Sequence, residues 1–220
     1  VVNATGPWVA QCLRDLAGLE VTTRLRLVKG SHIVVPRQIA GDHAYILQNN
    51  DRRMVFVLPF ERRFTLIGTT ESVLAAPPAS VSVSADETGY LCDAVNRYLR
   101  HPVKPQDVVW SFAGVRALHD DGKRDATDVS RDYFLRLDRG AGGAPLLSVF
   151  GGKITTYRRL AQQALQRLAL DLGVRADDWT ASMPLPGVAG GVGYREMLAR
   201  MAARYPGLPG EVLEGVVRSP

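Results

Sequence analysis

Cysteine is scarce in this chain of 220 residues: there are two, Cys12 and Cys92. Two thiols so far apart build no disulfide framework and lack metal-ligand spacing. Each lies in a helical apolar pattern, so both are expected to be reduced core residues, and no metal site is expected. Long apolar runs are lacking too. The densest, Met54 to Phe60, is seven residues long and contains Pro59, against the roughly 18 to 20 that cross a bilayer. No charged segment followed by an apolar one marks a signal peptide. Lysine is rare, since 23 of the 27 basic residues are Arg. The positive excess is also dispersed: nine basic residues face six acidic ones over 1–76, nine face ten over 77–150, and nine face six over 151–220. No basic run or interleaved aromatics make a nucleic-acid stripe, so no nucleic-acid partner is expected. An anionic small substrate fits the balance equally well. Repeats and low-complexity tracts are missing.

What is present describes a globular protein. Apolar residues make up 46% and charged residues 22%, enough for a packed core and too little charge for a disordered chain. The length suits one large domain or two small ones. The chain opens on Val1 rather than Met, and its first residues already read as a buried strand. The expectation is a piece of a longer protein.

After residues 1–6, Pro7 suits a first helical position, and Trp8, Val9, Cys12, Leu13 and Leu16 recur at helical spacing up to Gly18. The period then changes to two. Strands are predicted at 24–36, 44–49, 53–60 and 64–70, followed by a loop over 74–82. Such a succession without intervening helices argues for an antiparallel sheet. Ser84 and Glu87 form a capping box opening a helix with Tyr90, Leu91, Ala94, Val95, Tyr98 and Leu99 on one face. A strand follows at 108–113, then a polar turn at 119–128, a hairpin of 132–138 with 145–150, a helix at about 154–172 and a short helix at 194–204. Strand, glycine and helix therefore occur twice, flanking a mainly antiparallel middle. An α/β domain interrupted by an inserted α+β domain gives this pattern.

Three groups of residues could carry chemistry. The strand ending at Phe150 runs into Gly151-Gly152-Lys153 and directly into a helix N-terminus. Paired glycines allow close backbone approach, and the first turn offers unpaired N–H groups beside a cation. This favours an anion or a group that becomes anionic, although an ordinary glycine turn matches the spacing equally. It is no nucleotide P-loop, because Leu147 and Ile154 stand where that motif needs Gly and Ser or Thr. Ala4-Thr5-Gly6-Pro7 repeats the logic more weakly. Arg116, Arg131 and Lys153 are fixed cations on separate elements, a set suited to phosphate oxygens if the fold gathers them. Taken singly, an Arg is more often a solvated surface residue. His32 follows a Gly in a strand, where a packed histidine is commoner than a catalytic one. Asp120-Asp121-Gly122 and Asp125 miss the calcium-loop spacing.

Several of these stretches together resemble a known family. Asn3-Ala4-Thr5-Gly6-Pro7-Trp8, residues 27–36, Tyr45-Ile46-Leu47-Gln48-Asn49, Ile67-Gly68-Thr69-Thr70, Gly114-Val115-Arg116, Ser130-Arg131-Asp132-Tyr133 and residues 146–157 are similar, in unbroken order, to the FAD-dependent glycerol-3-phosphate dehydrogenases. The resemblance implies a flavoenzyme of D-amino-acid-oxidase type that oxidises sn-glycerol 3-phosphate to dihydroxyacetone phosphate by hydride transfer to FAD and passes electrons to membrane quinone. It also implies a cytoplasmic protein peripherally attached to the inner face of the membrane, and a homodimer. Carried over by motif, Gly151, Gly152, Lys153, Ile154 and Thr155 lie along the flavin, with Lys153 near its N1–C2=O edge, and Thr5 and Gly6 pack beside the cofactor. Arg116 and Arg131 hold phosphate or hydroxyl oxygens with Lys153. His32 is a candidate base for the C2 hydroxyl, a role an Arg or Lys could share.

The fold expected from the resemblance is part of a Rossmann-like FAD domain, 1–18 and 126–172, interrupted by an antiparallel substrate cap, 19–125. Residues 173–220 begin a C-terminal helical domain. The G-x-G-x-x-G that receives the FAD pyrophosphate is absent from these residues, so this chain alone is expected to hold FAD poorly and to be inactive. The alternatives are a glycerol-3-phosphate oxidase using oxygen, and a non-catalytic basic binding module.

Overall fold

The computed structural model describes residues 1–21, 23, 25–119, 132–139, 143–184 and 192–218. The chain divides into two compact units, Val1–Val174 and Arg175–Pro220. In the first unit the strands are β1 (Val2–Asn3), β2 (Leu25–Pro36), β3 (Tyr45–Gln48), β4 (Met54–Phe60), β5 (Phe64–Gly68), β6 (Ser72–Leu74), β7 (Trp110–His119), β8 (Phe134–Asp138) and β9 (Leu146–Phe150). Its helices are α1 (Val9–Asp15), α2 (Ala85–Asn96) and α3 (Tyr157–Leu172). The second unit carries α4 (Tyr194–Arg204) and α5 (Gly210–Arg218).

Two sheets form. The larger is antiparallel and has β2 as its spine. All ten residues of β7 pair along one edge of β2, from Trp110 opposite Val34 to His119 opposite Leu25. The other edge is shared, with β5 on residues 32–36 and β6 on residues 27–29. β4 and β3 extend the sheet beyond β5. Side chains alternate across a strand, so Ile33, Val35, Val55, Val57 and Ile67 share one face. The helix α2 covers that face with Leu91, Cys92, Ala94 and Val95. Its start is the expected capping box: Ser84 Oγ accepts from Glu87 N at 3.1 Å and Glu87 Oε2 from Ser84 N at 2.9 Å.

The smaller sheet has order β1-β9-β8, with β1 parallel and β8 antiparallel to β9. Leu160, Ala164 and Leu168 of α3 pack on Leu135, Leu147 and Val149. Val9 and Leu13 of α1 pack on Phe150. The helix α3 stops at Gly173, whose φ of +64° suits glycine at a helix end.

Several expectations change. The strand expected over 64–70 ends at Gly68, and the chain rejoins β2 as β6, partly where a loop was expected. The strand β7 runs on through Gly114-Val115-Arg116 because β2 is long enough to pair with all of it. A 3-10 turn, Gly6–Trp8, precedes α1. Tyr98 and Leu99 fall past the end of α2. Val1 and Val2, expected in a buried strand, are exposed because β1 sits at the edge of its sheet. Cys12 is only half-buried, since Val9 and Leu13 take the inward stripe of α1; both cysteines are free thiols.

Candidate active site

The site begins where β5 leaves the edge of β2 and β6 takes over. Thr70 fills the break: its hydroxyl accepts from Ser31 N at 3.1 Å and its N–H donates to Ser31 O at 3.3 Å. On the face of β2 opposite α2 lie Val28, Gly30 and His32, flanked by Arg116, Gly114 and Phe112 on β7 and by Gly68 on β5. Two of these glycines make room. A Cβ on Gly30 would stand 2.8 Å from Arg116 Nη2 and 2.6 Å from Thr69 Oγ1. A Cβ on Gly68 would run into the ring of His32, 2.7 Å from its Cγ. The imidazole and the guanidinium thus lie across bare backbone.

His32 stacks on Phe112 with centroids 4.8 Å apart and planes 6° from parallel. Phe112 continues to Trp110 at 5.1 Å and Trp110 to Phe60 at 6.3 Å, an aromatic row along the face away from α2. The Nδ1 of His32 is buried without a hydrogen-bond partner among the described residues. Burial, and secondarily the Arg116 cation, hold the His32 pKa below its usual value, so the ring is neutral at pH 7 and can accept a proton. Arg116 pairs with Glu71, Nη1 to Oε1 at 3.5 Å.

The face toward α2 carries a separate polar cluster. Glu87 accepts from Lys29 Nζ at 2.8 Å, Thr70 Oγ1 at 3.0 Å, Ser72 Oγ at 3.4 Å and its own cap. Burial alone would raise this carboxyl, but the Lys29 ammonium, the Ser84 N–H and the Thr70 hydroxyl outweigh it and hold its pKa at about 2.

The turn after β9 approaches this assembly from the smaller sheet. Gly151 and Gly152 have φ of +78° and +107°, values that favour glycine. A Cβ on Gly151 would lie 2.9 Å from Asp132 O and 3.5 Å from Ala117 O, the carbonyl next to Arg116 on β7. Lys153, Ile154 and Thr155 are exposed, Ile154 to 87%. The Thr156 hydroxyl bonds Lys153 N at 3.3 Å and Lys153 O at 3.0 Å, closing the turn. Open backbone, an outward apolar side chain and a cation at one turn fit a flat cofactor whose edge gains negative charge. Thr5 donates to Asn3 Oδ1 at 2.7 Å, and Gly6 has φ of +59°. The 3-10 turn packs on β7. Between them is a hollow of about 300 Å³ lined by Pro7, Trp8, Ser80, Val81, Gly114 and Val115.

His32 and Arg116 are therefore neighbours, and the Gly151–Lys153 turn abuts the strand that carries Arg116. Arg131 lies outside the described residues, as do the acidic turn at 120–125 and the proposed 125/126 boundary. Sequence reasoning missed Glu71, Phe112 and the roles of Gly30 and Gly68. Gly30 and His32 stand two apart in one strand, but their neighbours come from strands 36 to 86 residues away.

A family model described as FAD dependent oxidoreductase matches residues 1–158. The glycerol-3-phosphate dehydrogenase of Pseudomonas aeruginosa is 45% identical over 212 residues, 96% of this chain and 41% of that protein. The D-erythritol 1-phosphate dehydrogenase of Brucella abortus is 42% identical over 210 residues, 95% of this chain and 42% of that protein. The chain thus spans about two fifths of the curated relatives it matches. The structure of the glycerol-3-phosphate dehydrogenase from Bacillus halodurans complexed with FAD superposes with a TM-score of 0.78 at 28% identity, covering 98% of this chain and 42% of that one. These likenesses bear out the expected fold class and the resemblance read from the motifs. The chain belongs to the FAD-dependent oxidoreductase family.

Proposed function

We propose that the whole protein oxidises sn-glycerol 3-phosphate to dihydroxyacetone phosphate. The observation that carries this reading is the pair of glycines, Gly30 and Gly68, over which Arg116 and His32 lie side by side. A fixed guanidinium suits a phosphate monoester, and a neutral imidazole beside it suits a neighbouring hydroxyl. In the proposed arrangement Arg116 and Arg131 hold phosphate or hydroxyl oxygens and His32 takes the C2 hydroxyl proton. Bound FAD supplies the two-electron acceptor. The residues that hold it are Gly151, Gly152, Lys153, Ile154 and Thr155, with Thr5 and Gly6 beside them, and Lys153 and the turn's N–H groups favour negative charge at its N1–C2=O edge. Residues 1–18 and 126–172 belong to the cofactor domain in this reading, 19–125 to the cap, and 173–220 to the start of a helical domain.

Membrane quinone as acceptor, a homodimer and attachment at the inner membrane face complete the proposal; their support is the family resemblance. No helix among the described residues is long and apolar enough to cross a membrane. The Brucella relative's name favours a second substrate reading, D-erythritol 1-phosphate, which presents the same phosphate beside a polyol.

One set of assays tests the reading. The 220-residue chain alone is expected to show neither stoichiometric flavin absorbance nor turnover, because the pyrophosphate-binding glycines are absent from it. The full-length protein is expected to turn over glycerol 3-phosphate faster than erythritol 1-phosphate and to reduce quinone. Arg116→Met should lower kcat/KM about a hundredfold or more, the effect of leaving a charged partner unmatched. Unchanged turnover in that variant would overturn the catalytic reading in favour of a basic binding module. Peroxide in place of reduced quinone would point to an oxidase.

A further inference from the structure

The residues of the sheet break face alternately, and this alternation assigns a function to one of them. Ser72 lies opposite Lys29 and Val73 opposite Val28. Ser72 and Thr70 both bond Glu87, on the side covered by α2. Glu71, between them, is thereby turned to the opposite face with Gly30 and Arg116. Its side chain is 19% exposed and lies 3.5 Å from Arg116 Nη1, while Arg116 Nη2 rests over Gly30. The guanidinium is bracketed by a carboxylate at one nitrogen and bare backbone under the other.

We propose that Glu71 is a positioning residue, which the Glu87 cluster turns toward Arg116 so that the guanidinium is held where a phosphate monoester meets it. The proposal rests on the reading of Arg116 given above. An arginine side chain has several rotatable bonds, and an unheld one must be ordered each time an anion binds. A guanidinium has five N–H donors, so pairing with Glu71 at one nitrogen leaves the fork able to meet phosphate oxygens. Residues 70 and 72 are tied down on one side so that residue 71 can act on the other.

The test is steady-state kinetics of the full-length, FAD-loaded enzyme with sn-glycerol 3-phosphate. Glu71→Gln keeps the shape and loses the charge. It is expected to raise KM about tenfold and to change kcat by no more than about twofold, with flavin content and Tm unchanged. Glu71→Asp, which keeps the charge on a shorter stem, should recover part of the loss. In an Arg116→Lys background, which lacks the planar fork, Glu71→Gln should raise KM no further, because positioning acts only through the guanidinium. Unchanged KM in Glu71→Gln, or full additivity with Arg116→Lys, would overturn the positioning role. If Arg116→Lys itself leaves KM and kcat unaltered, the phosphate-holding reading fails first and takes the proposal with it. If Arg116→Lys raises KM and Glu71→Gln does not, positioning alone is lost.

Discussion

The six-stranded sheet and the three-stranded sheet bury their apolar residues in different ways. In the first, α2 closes one whole face over a single connected core of eleven buried residues. In the second, the core splits into two small clusters on either side, built with α3 and with α1. Leu170 of α3 is 95% exposed and Val1 beside β9 is 76% exposed, so the smaller sheet leaves apolar surface uncovered. The larger sheet keeps one connected core beneath α2. The smaller one offers a glycine turn against an edge of the larger, through Gly151 and Ala117. The candidate site lies where the two layers meet, with Arg116 and Glu71 on the larger sheet.

Four substitutions in the 220-residue chain probe that contrast. The largest effect is expected from shortening the core of the closed layer: Leu91→Ala should cost about 3–4 kcal/mol in urea unfolding, and Leu168→Ala, in the thinner cluster, about 2 kcal/mol. Equal losses would erase the difference between the sheets. Next comes Glu87→Gln, at about 3 kcal/mol at neutral pH. Its folded pKa of about 2 lies below the ordinary 4.5, so its contribution is present above about pH 4.5 and is lost as pH falls toward 2. The variant should lack that part of the acid slope; a slope identical to the parent's would remove Glu87 from the cause. The other change to the thin sheet is as small as that of Leu168→Ala. Gly151→Ala meets a positive φ and the Asp132 carbonyl, and should cost about 2 kcal/mol, read from the same unfolding curves. A neutral result would show that the turn yields, and that it does not lock the two sheets together.

Much of this was legible in the residues. The capping box of α2, the period-two strands of the larger sheet and the hairpin of β8 with β9 depend on neighbours in sequence, and local rules reach them. The site was legible only in part. Lys153, Arg116 and His32 stood out one by one from their local surroundings, and only the family resemblance joined them, since no spacing rule links residues so far apart. Glu71 drew no notice: an acidic residue after Thr69-Thr70 reads as solvated until β6 is seen to pair with β2. Gly30 and Gly68 fall inside the predicted strands without a role, and their use appears only when Arg116 and His32 lie over them.

Composition and pattern by themselves determined a globular chain, an antiparallel middle between two strand–glycine–helix segments, and the dispersed charge that turns attention from nucleic acid to a small anion. That Arg116 lies beside His32, which residues of β2 face away from α2 and which carboxylate reaches Arg116 were decided by tertiary structure. The physical reason is range. Hydrogen-bonding periods and caps act over a few residues, whereas the register that sets Arg116 opposite Val28, and Gly68 opposite His32, is chosen by burying one face of the whole sheet beneath α2.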